Sequence, residues 1–182
     1  GTTEVAVLSL GGTVVSESLR IAGDEINESI SSYLKKKHSM AVGERTAEKI
    51  KIKIGSAFPD SNFDDTSFEV RGLHLSSGLP RSITLTSGEI REAMADPLNK
   101  IVEAVKRTLE RTPPELAADI VERGIMLAGG GALIRGMNDL VTKETGIFTH
   151  IAEDPLLCVV NGCGKILDDF RKLKRIVDTI DL

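Results

Sequence analysis

"GIMLAGGGALIRGMNDL", Gly124 to Leu140, decides how the last third of the chain is read. An apolar run, Ile125-Met126-Leu127-Ala128, meets three consecutive glycines and leaves into an amphipathic pattern around Met137–Thr145 that Gly146 stops. Glycine loses more conformational entropy on folding than any other residue, so three together need a backbone reason. A strand, then glycines, then a helix start is a place where an anion or nucleotide can lie on bare main chain. Missing Cβ atoms permit close approach, and free N–H groups point at the ligand. The spacing is not G-x-G-x-x-G, and no G-x-x-x-x-G-K-[ST] occurs. On these residues alone, tight-turn packing and a ligand loop both stand.

Downstream, Ile147 to Ile151 reads as a second strand, and Asp154-Pro155 as the cap and first turn of a helix from Leu156 to Phe170. That helix is apolar around much of its circumference and is expected to be buried, with Gly162 and Gly164 allowing close packing. Strand–helix–strand–helix order predicts a βαβ unit with a right-handed crossover. The tail, Leu173 to Ile180, is amphipathic, either a docked terminal helix or a partner-binding one.

Upstream, "TPPE", Thr112 to Glu115, has the pattern of a capping box with proline in the first turn. It should open a helix that buries Leu116 and Ile120 and stops at Gly124. Thr86 with Glu89 is a second box. Its helix carries Ile90, Ala93 and Met94, meets Asp96-Pro97 as a restart or kink, and continues through Leu98, Ile101, Val102, Val105 and Leu109. Residues 60–87 read as β, with Phe68–Leu73 and Ser82–Thr86 flanking a polar Gly-Pro segment. At the start, two β-rich runs, Glu4–Leu10 and Thr13–Leu19, flank Gly11-Gly12 as a tight hairpin would. Asp24 precedes Ile26, Ile30, Tyr33 and Leu34, one helical face, closed by Lys35, Lys36 and Lys37 at the negative end of the dipole. "GERTAEKIKIKIGSAFP", Gly43 to Pro59, has two readings. Lys49 to Ile54 alternates like a half-buried strand, while Ala47, Ile50 and Ile54 fit a helical stripe.

The chain has 182 residues, 41% hydrophobic and 27% charged, enough for one sizeable core or two small lobes. A formal net charge of −4 argues against a general nucleic-acid partner. Lys35, Lys36, Lys37, Arg45, Lys49, Lys51 and Lys53 are interrupted by Glu44 and Glu48 and lack interleaved aromatics, which suits a solvated face. Cys158 and Cys163 form no disulfide framework and read as reduced thiols packed as small hydrophobes. No run of 18 apolar residues and no signal-peptide pattern is present. The chain has no initiator Met and opens inside a motif, as a piece of a longer protein would. His38, His74 and His150 lack metal-ligand spacing, and Glu153 with Asp154 read as a paired carboxylate or a helix cap. Gly1-Thr2-Thr3 precedes the hairpin, where N–H and hydroxyl donors suit a phosphate.

Five separated segments, "GTTEVAVLSLGG", "GERTAEKIKIKIGSAFP", "LPRSITLTSGEI", "TPPELAADIVERGIMLAGGGALIRGMNDLVTKETG" and "AEDPLLCVVNGCGK", resemble the MreB family of bacterial actin-like proteins, in the same order, from Gly1 to about Asp168. The resemblance implies an α/β chain with the actin/Hsp70/sugar-kinase ATPase fold, which holds ATP (or GTP) with Mg²⁺ in a cleft between two halves. This chain resembles the second half. Residues 1–36 and 113–182 would form an RNase H-like subdomain, and 37–112 a smaller inserted α+β subdomain. The resemblance implies nucleotide contacts at Gly1, Thr2 and Thr3, the end of the family's D-x-G-G-G-T-T phosphate loop. It implies others at Glu48, Lys49, Ile50 and Lys51, on a helix over the adenosine, and at Gly129, Gly130, Gly131, Ala132 and Leu133, the adenosine loop. That favours helix over strand for the ambiguous stretch. Catalytic and water-positioning groups are expected in the other half, so no catalytic residue and no metal ligand is assigned here, and the isolated chain should hydrolyse ATP poorly or not at all.

The implied partners are copies of itself in a filament and the cell-shape and wall-synthesis complex at the inner membrane. Membrane contact is expected through the other half, and the location is cytoplasmic, at the inner face of the membrane. The alternative readings are a non-hydrolytic interaction module of the same fold, or half of an Hsp70-like chaperone ATPase.

Overall fold

A computed structural model describes residues 1–168, so the expectation for the tail, Leu173 to Ile180, lies outside the described residues. Strands β1 (Thr3–Ser9) and β2 (Gly12–Leu19) pair antiparallel, with a bulge between Val7 and Leu8. The turn differs from the expected one. Leu10 and Gly11 occupy its two positions at φ 50° and 77°, and Gly12 already belongs to β2. Two successive left-handed residues match the twist of a two-residue hairpin.

Helix α1 (Gly23–His38) starts where Glu25 accepts a hydrogen bond from the Ala22 N–H at 2.8 Å, and it buries Ile26, Ile30 and Leu34 as the spacing required. Helix α2 (Glu44–Ile54) resolves the ambiguous stretch. Ala47, Ile50 and Ile54 are buried while Ile52 is 71% exposed. A strand would have put Ile50, Ile52 and Ile54 on one face, whereas the 100° step of a helix turns Ile52 outward. Strands β3 (Met40–Ala41), β4 (Ser67–His74) and β5 (Pro80–Thr86) form an antiparallel sheet in the order β3-β4-β5. Residues 60–66, expected as β, are turns instead, anchored where the Arg91 guanidinium grips the Asp64 carboxylate.

Helix α3 (Ser87–Glu110) is capped by Thr86, whose Oγ1 accepts from the Glu89 N–H at 3.3 Å. Pro97 sits inside it without breaking it, so the expected restart does not occur. Asp96 instead pairs with Lys100 one turn on, at 2.7 Å. Ile90, Met94, Leu98, Ile101 and Val105 run along the buried face of α3, beneath α1 and α2 at one end and beneath the hairpin at the other. Burial of each such side chain is worth about 1.5–3 kcal/mol before conformational entropy is charged.

Helix α4 (Pro114–Arg123) departs from the sequence reading in two ways. Thr112 does not cap it, because its hydroxyl donates back to the Thr108 carbonyl at 2.8 Å, and Leu116 and Ile120 are only half-buried. Strand β6 (Ile125–Leu127), helix α5 (Met137–Thr145) and strand β7 (Thr149–Ile151) form the expected βαβ, with β6 and β7 parallel. Helix α6 (Cys158–Asp168) is not buried. Val159, Val160 and Leu167 are 60–77% exposed, a Cβ on Gly162 or Gly164 would meet nothing within 4 Å, and the Cys163 thiol is exposed rather than packed. Its apolar circumference predicted a covered helix, but nothing among the described residues covers it. None of the described helices is long and apolar enough to cross a membrane.

Candidate nucleotide-binding site

A cleft of about 1500 Å³ opens between the start of β1, helix α2 and the glycine segment. Its rim gathers Gly1, Thr2, Thr3, Glu48, Lys51 and the whole of Gly129–Leu133, three groups far apart in the chain. Two links hold the walls together. The Lys51 ammonium donates to the Gly23 carbonyl at 3.1 Å, tying α2 to the first turn of α1. Just past the C-terminal end of α2, the Ala57 N–H donates to the Arg135 carbonyl at 2.7 Å beside a parallel bridge between Ser56 and Arg135. The Arg135 guanidinium then lies 3.8 Å from the centre of the Phe63 ring.

The three glycines of the opening stretch do different work. Gly129 has φ 81° and ψ 177°, a region open essentially only to glycine, and its N–H donates to the Pro155 carbonyl at 2.7 Å. Backbone geometry alone requires that glycine. Gly130 and Gly131 begin a one-turn 3₁₀ helix (Gly130–Leu133) without positive φ. A Cβ on Gly130 would make an ordinary contact with Leu156 at 3.7 Å, and one on Gly131 would meet nothing within 4 Å. Neither the backbone nor the packing demands glycine at those two positions, yet both line the cleft.

Helix α2 presents fewer of the expected residues than its sequence suggested. Glu48, Lys51, Ile52 and Lys53 of α2 line the cleft, with Gly55 at its C-cap. The Lys49 ammonium is instead over the Phe68 ring at 5.6 Å, and Ile50 is fully buried in the core. Four consecutive helical residues span three-quarters of a turn or more and cannot all face one ligand. Ile52, Lys53 and Gly55 were missed; the i+4 and i+7 steps from Glu48 signal Ile52 and Gly55 but not Lys53. In the 3₁₀ turn the Ala132 side chain is buried, while Leu133 is 56% exposed.

Thr3 and Glu48 are differently placed to act. The Thr3 hydroxyl donates to the Ile21 carbonyl at 2.7 Å, so that corner offers main-chain groups more than a free hydroxyl. Glu48 is exposed, and its carboxylate accepts no hydrogen bond among the described residues. A nucleotide's chemistry suits this set: bare main chain, open space over two glycines, one ammonium and one carboxylate. Among the described residues no three His, Cys, Asp or Glu side chains gather as a metal cage would require.

The family model described as MreB/Mbl protein matches residues 1–175. The cell shape-determining protein MreB of Escherichia coli K12 is 52% identical over 168 residues, covering 92% of this chain and 48% of its own. The cell shape-determining protein Mbl of Bacillus subtilis is 45% identical over 175 residues, 96% of this chain and 52% of its own. The crystal structure of MreB5 of Spiroplasma citri bound to ADP superposes with a TM-score of 0.90 at 38% identity, covering 94% of this chain and 52% of that one. The chain thus spans about half the length of the curated relatives it matches. Its α/β architecture is that of an actin-like ATPase, and the chain belongs to the MreB/Mbl family.

Proposed function

We propose that this chain is the nucleotide-binding half of an actin-like cytoskeletal ATPase that polymerises on itself and governs rod cell shape. The observation that carries the reading is the pair Gly130 and Gly131, glycines that neither φ nor packing requires, on the rim that also holds Glu48 and Lys51. The ADP in the Spiroplasma citri relative supports it. The nucleoside lies between Glu48 on α2 and Gly129–Leu133, and the phosphates lie toward Gly1, Thr2 and Thr3. ATP or GTP fits this set. Mg²⁺ would be held chiefly by the phosphates and water, as is usual for that ion.

The RNase H-like part comprises 1–36 and 113–182, with 37–112 inserted, a division supported by the β3-β4-β5 sheet falling wholly within the insert. Filaments lie at the cytoplasmic face of the inner membrane with the wall-synthesis complex, and membrane contact belongs to the other half of the protein.

The test is calorimetric titration of full-length protein with ATP analogues, beside Glu48→Ala. Loss of one ribose hydrogen bond costs about 0.5–1.5 kcal/mol, so affinity should fall roughly 2- to 13-fold. Unchanged affinity in a folded variant would remove Glu48 from the site, and absence of any nucleotide binding by the full-length protein would remove the reading. The 182-residue chain alone should show no robust Mg²⁺-dependent ATP turnover in a phosphate-release assay, because phosphoryl transfer depends on positioning and charge around the whole metal–phosphate group. Turnover comparable with the full-length protein would place the catalytic groups in this half.

A further inference from the structure

Helix α3 serves two neighbourhoods along its length. Before Pro97, its polar ties to other elements go to the second half of α1 and to the segment ahead of β4. The Glu89 carboxylate meets the His38 ring at 2.7 Å, the Tyr33 hydroxyl donates to Glu92 at 2.9 Å, and Arg91 grips Asp64. After Pro97 they go to the hairpin and to α5, where Arg107 holds Glu17 at 2.5 Å and Lys106 holds Glu144 at 2.6 Å. Pro97 is buried at the point of change. Proline has no N–H, and its ring crowds the carbonyl four residues back. That carbonyl belongs to Ala93, which is 5% exposed, and an unmet acceptor is costly there. Its partner comes from outside the helix: the Ser29 hydroxyl of α1 donates to it at 2.7 Å. The sequence removes a rung of the α3 ladder and supplies the missing donor from a residue 64 positions away.

We propose that Pro97 is a hinge in α3 and that Ser29 is its pin. The missing rung lets α3 bend there without breaking a further bond. The Ser29 bond fastens the half of α3 before the hinge to α1. The helices α1 and α2, the β3-β4-β5 sheet and residues 87–96 then turn as one body against the hairpin, the β6–β7 unit and α5. The chain passes between the two bodies at residues 20–22, which lie outside any helix or strand, and at Pro97. The bridge between Ser56 and Arg135 is a further place where the bodies join, so the swing turns about the line from that bridge to Pro97. The cleft has a wall on each body: Glu48 and Ile52 of α2 on the first, β1 and Gly129–Leu133 on the second. Bending at Pro97 therefore widens or narrows the cleft. The proposal stands on α3 and its partner and not on what fills the cleft.

The test uses full-length protein without nucleotide and compares the parent with Ser29→Ala, Pro97→Ala and the double variant. Hydrogen exchange of the amides around Ser29 and Pro97 reads the pin. Ser29→Ala leaves the Ala93 carbonyl without a donor and should speed exchange there roughly 2- to 13-fold. In the Pro97→Ala background residue 97 regains an N–H for that carbonyl, so the same serine change should alter exchange by no more than about twofold. The hinge is read by energy transfer between dyes on Ser76→Cys, at the tip of the β4–β5 hairpin, and Glu122→Cys on α4, both exposed positions, with the protein's own cysteines replaced by serine. Single molecules at picomolar concentration stay apart from one another, and donor lifetimes give the spread of distances. Pro97→Ala should narrow that spread, and Pro97→Val, which refills the ring's space, should narrow it as well. An unchanged spread in both overturns the hinge. An equal effect of Ser29→Ala in the two backgrounds overturns the pin, because the serine would then serve packing alone. Should Ser29→Ala not fold, the double variant decides: folding supports the pairing, and failure overturns it.

Discussion

Gly131→Val in the full-length protein is expected to weaken nucleotide binding by a factor of about ten or more while leaving the nucleotide-free fold intact. A Cβ at Gly131 meets no atom within 4 Å and needs no forbidden φ. Replacing a glycine at a compatible backbone position stabilises by about 0.4–1 kcal/mol through the unfolded chain, so the melting temperature without ligand should hold within a few degrees. The open space that accepts the valine is the space the nucleoside is proposed to use. Overpacking costs about 1–3 kcal/mol, and here the cost falls on the complex alone, at 1.4 kcal/mol per decade of affinity. Calorimetry with ATP analogues beside a thermal melt separates the two effects. Normal affinity in a variant of normal stability would mean that Gly131 faces no ligand, and the cleft-side reading of the glycine segment would be lost.

Gly124→Ala is expected to do the reverse. Gly124 closes α4 at φ 83° and ψ −177°, a conformation that costs a side-chain-bearing residue about 1–3 kcal/mol. Its Cβ would also stand 2.6 Å from the Phe148 carbonyl oxygen. That same oxygen accepts the Ile125 N–H at 2.8 Å, the bond beside which β6 and β7 begin to pair. Backbone cannot yield as a side chain can, so the added methyl must push the two strands apart. Adding a clash of about 1–3 kcal/mol gives a loss of about 2–6 kcal/mol. At roughly 2–4 °C per kcal/mol for a chain of this size, melting should fall by roughly 4 °C or more. Hydrogen exchange should rise first in β6 and β7. A melt within about 2 °C of the parent would show that the strain is not real. Seven residues apart in one stretch, the two variants test two different reasons for glycine.

Much of this was legible in adjacent residues. The helical stripe of Ile26, Ile30 and Leu34, the Thr86 cap, the stop at Gly146 and the parallel β6–β7 unit follow from periodicity and from main-chain bonds made within a few residues. Resemblance to a family brought Gly1–Thr3, Glu48 with Lys51, and Gly129–Leu133 forward together, and in the structure these line one cleft.

Tertiary structure alone decided what depends on partners far away in the chain. Periodicity alone left Lys49 to Ile54 open between strand and helix, because six residues fit both. In the folded helix Ile50 is buried in the core and Ile52 faces the cleft. The apolar circumference of α6 predicted burial, but composition states only that a surface would gain by being covered, not that a cover is present. The glycine triplet looked uniform as letters. Only φ at Gly129, and the open space beside Gly131, separate a residue the backbone requires from residues a ligand would require, because a missing Cβ has no meaning until its surroundings are in place.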